Sequence, residues 1–359
     1  MNDIFIFSML AWDAHLLHRS HMLAKYFKKH GKDVYYVEKI NSYNPLKLGR
    51  YELEKKDVSV LKIYALPYFK GVSKWVFKAN DSFIHRAMKD FLKSANISDA
   101  AAVISTPHWS VSIGEIENFN NRIFYDISDD YIAFASNGIW KHILEEYEKH
   151  AVEISAKVFV TTETLMGKAI AKGLLIENGV DIDSFSSAVK KEYETKGKVI
   201  GFIGGLYSWI DYNLIAKVAA SHPDDLLVLI GPTDSKGSMD RLSSLENVRY
   251  LGPIDKDEIQ DYYASFDIGI IPFLSESEYP RLKTVNSNKV YQYLYFGYPV
   301  VSTNFNQVDK LRNIVLVSDT HEQFIENINT AKKLGINKGK VDLNAISWET
   351  KALEMMKFL

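Results

Sequence analysis

Short apolar runs alternate with longer amphipathic stretches along the whole chain, and that alternation predicts strands separated by helices. Residues 4–7 form an apolar run, residues 20–30 carry helical spacing ended by Gly31, and residues 34–37 form a second apolar run. The chain therefore begins as a βαβ unit. Further strands are predicted at 101–105, 123–126 and 158–161, with helices at 138–153 and 164–172. Residues 183–197 are polar and lack apolar periodicity. Beyond them the alternation starts afresh, with strands at 199–203, 226–230, 248–251, 268–272, 299–302 and 314–317, and helices at 210–221, 256–265 and 321–334. A last helix is predicted at 348–358. The pattern predicts an α/β protein of two successive doubly wound, Rossmann-like parallel-sheet domains facing each other across a cleft. The expected division is a first domain over 1–183, a linker over 184–197, a second domain over 198–342 and a C-terminal helical segment over 343–359 that packs back towards the first domain.

In the second domain the most informative stretch is 284–303. Asn286, Ser287 and Asn288 are helix-capping residue types, 289–296 read as a helix, Gly297 and Pro299 stop it, and Val300-Val301 open a buried strand. The free amides and positive end of such a helix suit a phosphate group, and Lys289 adds a full charge in the first turn. The competing reading is an ordinary αβ connection with Lys289 solvated. Gly204-Gly205-Leu206 follows an apolar strand, where two glycines let backbone amides approach a phosphate closely. A glycine pair needed only for a tight turn explains it equally. The spacing of Gly201, Gly204 and Gly205 is not the dinucleotide fingerprint, and the P-loop pattern is absent.

In the first domain the loops at strand ends carry Trp12, Asp13, His15 and His18, then Thr106-Pro107-His108-Trp109, then Ser128-Asp129-Asp130-Tyr131. These are the places where a doubly wound sheet holds ligands. Asp126, Asp129 and Asp130 stand together, and crowding of like charges raises at least one carboxyl pKa, which improves a general base. A metal cluster, or turn and cap roles for Asp126 and Asp130, are the alternatives. Asp181 and Asp183 match an Asp-x-Asp pattern but precede the polar stretch.

Composition sets outer limits. Of 359 residues, 47% are apolar and 25% charged, which describes a folded soluble protein long enough for two cores. The net charge of -2 gives no reason to expect nucleic acid, and the absence of cysteine excludes thiolate sites and disulfides. Residues 1–10 read as a buried strand and not a signal peptide, and no apolar run approaches a membrane span of about 20 residues. Residues 66–93 carry six Lys or Arg against two acids, interleaved with Trp75, Phe77 and Phe83. Such a face suits an anionic bilayer surface, or else is a core helix with a solvated lysine side.

These pieces resemble the GT-B glycosyltransferases, and among them the inverting β-glucuronosyltransferases of glycosyltransferase family 70. The resemblance lies in Phe-Ser-Met-Leu-Ala-Trp-Asp (7–13), Phe-Tyr-Asp-Ile-Ser-Asp-Asp (124–130), Asn-Gly-Val-Asp (178–181), Gly-Gly-Leu (204–206) and Ile-Ile-Pro-Phe-Leu-Ser-Glu (270–276). It continues in Ser-Asn-Lys-Val-Tyr-Gln-Tyr-Leu-Tyr-Phe-Gly-Tyr-Pro (287–299) and Ser347-Trp348. The same pieces are similar to the retaining family 4, including its teichuronic acid members. The resemblance implies a metal-independent, nucleotide-sugar-dependent transferase of cell-surface polysaccharide biosynthesis, with Asp129 as catalytic base and Lys289 on the diphosphate. It implies no cofactor beyond the nucleotide sugar, expected to be a UDP-sugar carrying a hexose or hexuronic acid.

The resemblance puts Leu206, Phe273 and Lys289 at the donor; Gly204 and Gly205 join them from the turn reading and Gln292 as a residue able to hydrogen-bond a ribose. Asp13, His15, His108, Asp126 and Asp130 are the expected acceptor or cleft residues on the first-domain loops. Leu206 and Phe273 stand where the family has a methionine and a tyrosine. Pro253 replaces a donor-contacting glutamate, and Thr284 and Gln292 replace the paired glutamates of family 4. The expected acceptor is a lipid-linked oligosaccharide or polysaccharide, and the protein is expected at the cytoplasmic face of the membrane, held there peripherally through the basic aromatic segment 66–93. A non-catalytic two-domain ligand-binding protein is the reading from a different class.

Overall fold

The apolar runs become the inner strands of two separate sheets. The computed structural model describes residues 2–14, 17–68, 74–133, 135, 138–335 and 341–359. The chain divides into a first unit, Met1–Glu177 with Lys351–Leu359, and a second, Asn178–Thr350.

The first unit runs β1 (Asp3–Ser8), α1 (Arg19–Lys29), β2 (Asp33–Asn41), β3 (Tyr51–Lys55), β4 (Ser59–Ala65), α2 (Lys74–Ser94), β5 (Ala101–Ile104), α3 (Ser110–Ile113), β6 (Ile123–Ile127), α4 (Gly138–Ile154), β7 (Lys157–Val160) and β8 (Gly173–Leu175). The sheet order is β3-β4-β2-β1-β5-β6-β7-β8, parallel except where β3 runs antiparallel to β4. Ile4 pairs with Val34 on one side and Ala101 on the other. Both faces of β1 are covered, which is why 4–7 is a continuous apolar run and not an alternation. Phe5 and Phe7 pack edge-on against Phe119, and Phe7 also meets Trp109. Two features depart from expectation. The β3–β4 pair was not anticipated, because β3 reads Tyr-Glu-Leu-Glu-Lys at a half-exposed edge. The helix expected over 164–172 is instead two 3-10 segments, Glu163–Lys168 and Ile170–Lys172, with Gly167 a poor α-helix former inside it.

The second unit begins with α5 (Ile182–Ser186). It continues through β9 (Val199–Ile203), α6 (Tyr212–Ser221), β10 (Leu226–Ile230), α7 (Lys236–Ser243), β11 (Val248–Gly252), α8 (Ile259–Ala264), β12 (Ile268–Ile271), α9 (Asn288–Phe296), β13 (Val300–Thr303), α10 (Asn306–Asp309), β14 (Leu316–Ser318) and α11 (His321–Leu334). Its sheet is parallel throughout in the order β11-β10-β9-β12-β13-β14. The final helix α12 (Trp348–Met356) crosses the division, and beyond it Phe358 meets Phe159 of the first unit's own sheet.

Residues 184–197 are not a free linker. Phe185 is buried against Tyr263 and Phe296, the Val189 amide donates to Asp261 at 2.8 Å, and the Lys191 amide donates to Ser265 Oγ at 2.7 Å. The stretch reads as polar because side chains of α8 and the turn after it anchor its backbone, a pattern without period. Asp181 caps α5 by accepting from the Ser184 amide and hydroxyl, which accounts for the Asp-x-Asp spelling.

Among the parallel strands the order reverses between β1 and β5 in the first sheet and between β9 and β12 in the second. Ligands of doubly wound sheets bind beyond the carboxyl ends of the strands at such points.

Candidate functional site

In the second unit, the loop after β9 and the start of α9 come together at the reversal. The stop at Gly297 is a left-handed residue with φ 76°, which fixes the far end of α9. At its near end Gly204 has φ 147°, and a Cβ there would stand 2.0 Å from Lys289 Cε and 2.5 Å from its Nζ. Glycine is therefore required both by the backbone and by the lysine lying against it. The Lys289 ammonium sits over the rings of Phe202 and Phe273, at 5.5 and 5.9 Å from their centroids. Among the described residues it has neither a hydrogen-bond acceptor nor an acidic partner, and burial pushes its pKa down to about 8. Holding an ammonium so depressed costs about 3 kcal/mol.

The cap of α9 is open as well. Ser287 is the N-cap residue, yet its side chain makes no capping bond; its amide donates to Gln307 Oε1 at 2.6 Å. Ser287 Oγ and Asn288 Oδ1 are both buried without a hydrogen-bond partner among the described residues. The capping types recognised in the sequence are present but unused. Their unspent donors and acceptors surround the positive end of a nine-residue helix, beside an unpaired ammonium.

Other expected donor contacts are placed differently. The Gly204 amide donates to Ile230 at 2.8 Å, so it serves the sheet and is not free for a ligand. Leu206 is fully buried, its amide donating to Pro232 and its carbonyl accepting from Tyr212. Phe273 is 3% exposed and packs on Phe305. Both side chains are core, which explains why apolar residues occupy them. Gln292 Oε1 accepts from Tyr263 at 2.6 Å, leaving only its amide protons for a ligand. Gly205 lies against Tyr207 on the same turn.

In the first unit the carboxylates at the end of β6 are sorted by their partners. Asp126, 1% exposed, takes both oxygens' bonds from Arg19 Nε at 2.8 and 2.9 Å. Arg19 also donates to the Glu177 carbonyl at 3.2 Å and lies 3.9 Å from Met355 Sδ, so it ties the strand end to both passages of the chain out of this unit. Asp130 pairs with Lys168 at 2.7 Å and accepts from the Ala133 amide at 3.1 Å. Among the described residues the Asp129 side chain has only a 3.5 Å contact from Ser128 Oγ. Burial pushes its pKa up to about 7, opposed by Ser128 and Arg19, with Asp130 a lesser contributor. The expected raised pKa is present, but desolvation causes it; crowding contributes little because Arg19 and Lys168 neutralise the neighbours. Asp126 is correspondingly withdrawn from acceptor contact by its ion pair, and Asp130 combines a turn role with its own.

The remaining residues lie on separate loops. Asp13 is exposed and pairs with Lys56, while His15 lies outside the described residues. His108 joins a ring cluster with Tyr68, Phe77 and Trp140, and burial, aided by Lys39, pushes its pKa down to about 4. In α2, Phe77, Ile84, Met88 and Phe91 are buried, whereas Lys74, Lys78, Arg86, Lys89 and Lys93 are exposed with Trp75. Lys70 lies outside the described residues. No helix among the described residues is long and apolar enough to cross a membrane. Sequence reasoning missed Arg19, Lys168 and Gln307, whose partners are distant in the chain.

Residues 197–332 match the family model described as "Glycosyl transferases group 1". Over 214 residues the chain is 28% identical to a protein of Bacillus subtilis (strain 168) that carries the name teichuronic acid biosynthesis glycosyltransferase TuaH, covering 54% of this chain and 53% of that one. The chain thus spans about half the length of that relative. Among solved structures, sucrose-phosphate synthase from Thermosynechococcus elongatus superposes with a TM-score of 0.67 at 13% identity, over 99% of this chain and 98% of that one. The catalytic domain of starch synthase IV from Arabidopsis thaliana, bound to ADP and acarbose, gives 0.66 at 12%, over 99% and 98%. The fold of the chain is GT-B.

Proposed function

We propose that this chain is a nucleotide-sugar-dependent glycosyltransferase of cell-surface polysaccharide synthesis. The observation that carries the proposal is Lys289: a cation desolvated against Gly204, at an open helix start, with no anion of the protein beside it among the described residues. A nucleoside diphosphate supplies the missing negative charge, and the first-turn amides and the idle Ser287 hydroxyl complete its coordination. As the sugar leaves, charge grows on the diphosphate, and fixed positive groups there lower the barrier without a metal. The donor is a UDP-sugar bearing a hexose or hexuronic acid, and no other cofactor takes part.

Asp129 is the base that takes the proton of the acceptor hydroxyl as the bond to the anomeric carbon forms. A carboxyl with pKa about 7 is matched to that task at neutral pH, and general-base assistance contributes roughly 10²–10⁴ in rate. Arg19 and Lys168 keep Asp126 and Asp130 engaged, so one carboxylate of the three is available. The acceptor is a lipid-linked oligosaccharide or polysaccharide. The exposed basic side of α2, with Trp75, holds the enzyme peripherally to the cytoplasmic face of an anionic membrane.

The name of the Bacillus relative supports the polysaccharide setting. A second reading follows from the sequence resemblance to family 4: retention of configuration, in which Asp129 is no base. The test is a panel of UDP-sugars with a polyprenyl-linked acceptor, following UDP release and the anomeric proton of the product by NMR. Release of UDP with an inverted linkage supports the proposal, a retained linkage selects the second reading, and binding of the panel without turnover overturns transfer.

A further inference from the structure

We propose that Lys39, Tyr68, Thr106 and His108 form a binding site for a sugar carrying an anionic group. Lys39 lies near the carboxyl end of β2, and Tyr68, Thr106 and His108 follow the carboxyl ends of β4 and β5, next to the reversal of strand order in the first sheet. Lys39 Nζ lies 4.5 Å from the centroid of the Tyr68 ring and donates to the Leu66 carbonyl at 3.1 Å and Asn41 Oδ1 at 2.5 Å. No carboxylate pairs with it among the described residues, and burial pushes its pKa down to about 8. Tyr68 stacks on Phe77 with centroids 4.6 Å apart, and lies 5.5 Å from His108 and 5.9 Å from Trp140. His108 Nδ1 is buried without a partner among the described residues, as is the hydroxyl of Thr106, which is 4% exposed. Two orphaned polar atoms beside a charge without an acid are costly unless a ligand satisfies them.

The chemistry selects the ligand class. The ammonium takes a carboxylate or phosphate, and a neutral imidazole and a hydroxyl each take a sugar hydroxyl. Assigning this ligand as the acceptor end rests on the glycosyl-transfer reading above; the binding site itself does not.

The experiment is ligand-observed NMR on the full chain with glucuronate, glucose 6-phosphate and glucose, with UDP titrated separately to read the Lys289 site. Either acid should bind at least tenfold tighter than glucose, and the tighter of the two names the group, carboxylate or phosphate. Lys39→Met should abolish the preference and Thr106→Val should weaken both acids, while UDP affinity stays unchanged in both. Should Lys39→Met fail to fold, Thr106→Val decides. Equal binding of glucose and the acids, no binding of any, or a preference that survives Lys39→Met overturns the proposal. Binding with these dependences but no turnover of any UDP-sugar leaves the site standing and removes the transfer reading.

Discussion

Replacing Asp129 by Asn should make the protein more stable and less active at once. Among the described residues the carboxyl has one side-chain contact, at 3.5 Å from Ser128 Oγ, and burial raises its pKa from 3.8 to about 7. A folded-state pKa above the unfolded value means that the folded protein binds the proton more tightly. The associated stability is therefore present at low pH and is lost as pH rises from about 4 to about 7. A shift of this size corresponds to about 4 kcal/mol once ionisation is complete, and the partial exposure of the side chain reduces the expected figure to about 2 kcal/mol. Asn has nearly the same shape and no charge, so Asp129→Asn should gain that amount in urea unfolding at pH 8 and clearly less at pH 5. Transfer should fall by roughly 10²–10⁴ with UDP affinity intact. A variant no more stable than the parent at pH 8 would refute the buried-carboxylate argument, and one with full transfer activity would refute the role of base.

Three further outcomes follow from the same geometry. Gly204→Ala places a methyl group into Lys289 at a φ that side chains avoid, so UDP affinity should drop at least tenfold by calorimetry, with strain of about 1–3 kcal/mol showing in the melting temperature. Arg19→Met strands the buried Asp126 carboxylate and should cost about 3–5 kcal/mol in denaturant unfolding; a loss below about 1 kcal/mol would show the pair to be incidental. Reversing the exposed Lys78 and Lys89 to Glu should cut sedimentation with vesicles containing anionic lipid by at least tenfold while leaving UDP binding unchanged, since each basic residue near such a surface contributes about 1 kcal/mol.

The inner strands were legible because burial on both faces leaves an unbroken apolar run, as in β1 and β10, and a single sequence displays that directly. The β3–β4 pair was not, since an edge strand with alternating Glu and Lys carries little apolar signal. Residues 184–197 misled for a related reason: their order comes from donations to Asp261 and Ser265, which have no period. At the site, Lys289 and its glycine partner could be anticipated from capping residues, a helix and a glycine-bearing turn. Arg19 could not, because its partner Asp126 lies 107 residues away and ion pairs at that separation leave no local trace. The same omission produced the wrong cause for the Asp129 shift, for without Arg19 and Lys168 three neighbouring carboxylates look like a crowd. Leu206 and Phe273 are implied by resemblance, and both side chains lie in the core of the second unit.

Titrating UDP into the protein and its Lys289→Ala variant by calorimetry tests the central claim most directly. The variant should bind at least thirtyfold more weakly, while being more stable without ligand because the desolvated ammonium is gone. Equal affinity in the two proteins would contradict the claim that this buried cation awaits a diphosphate.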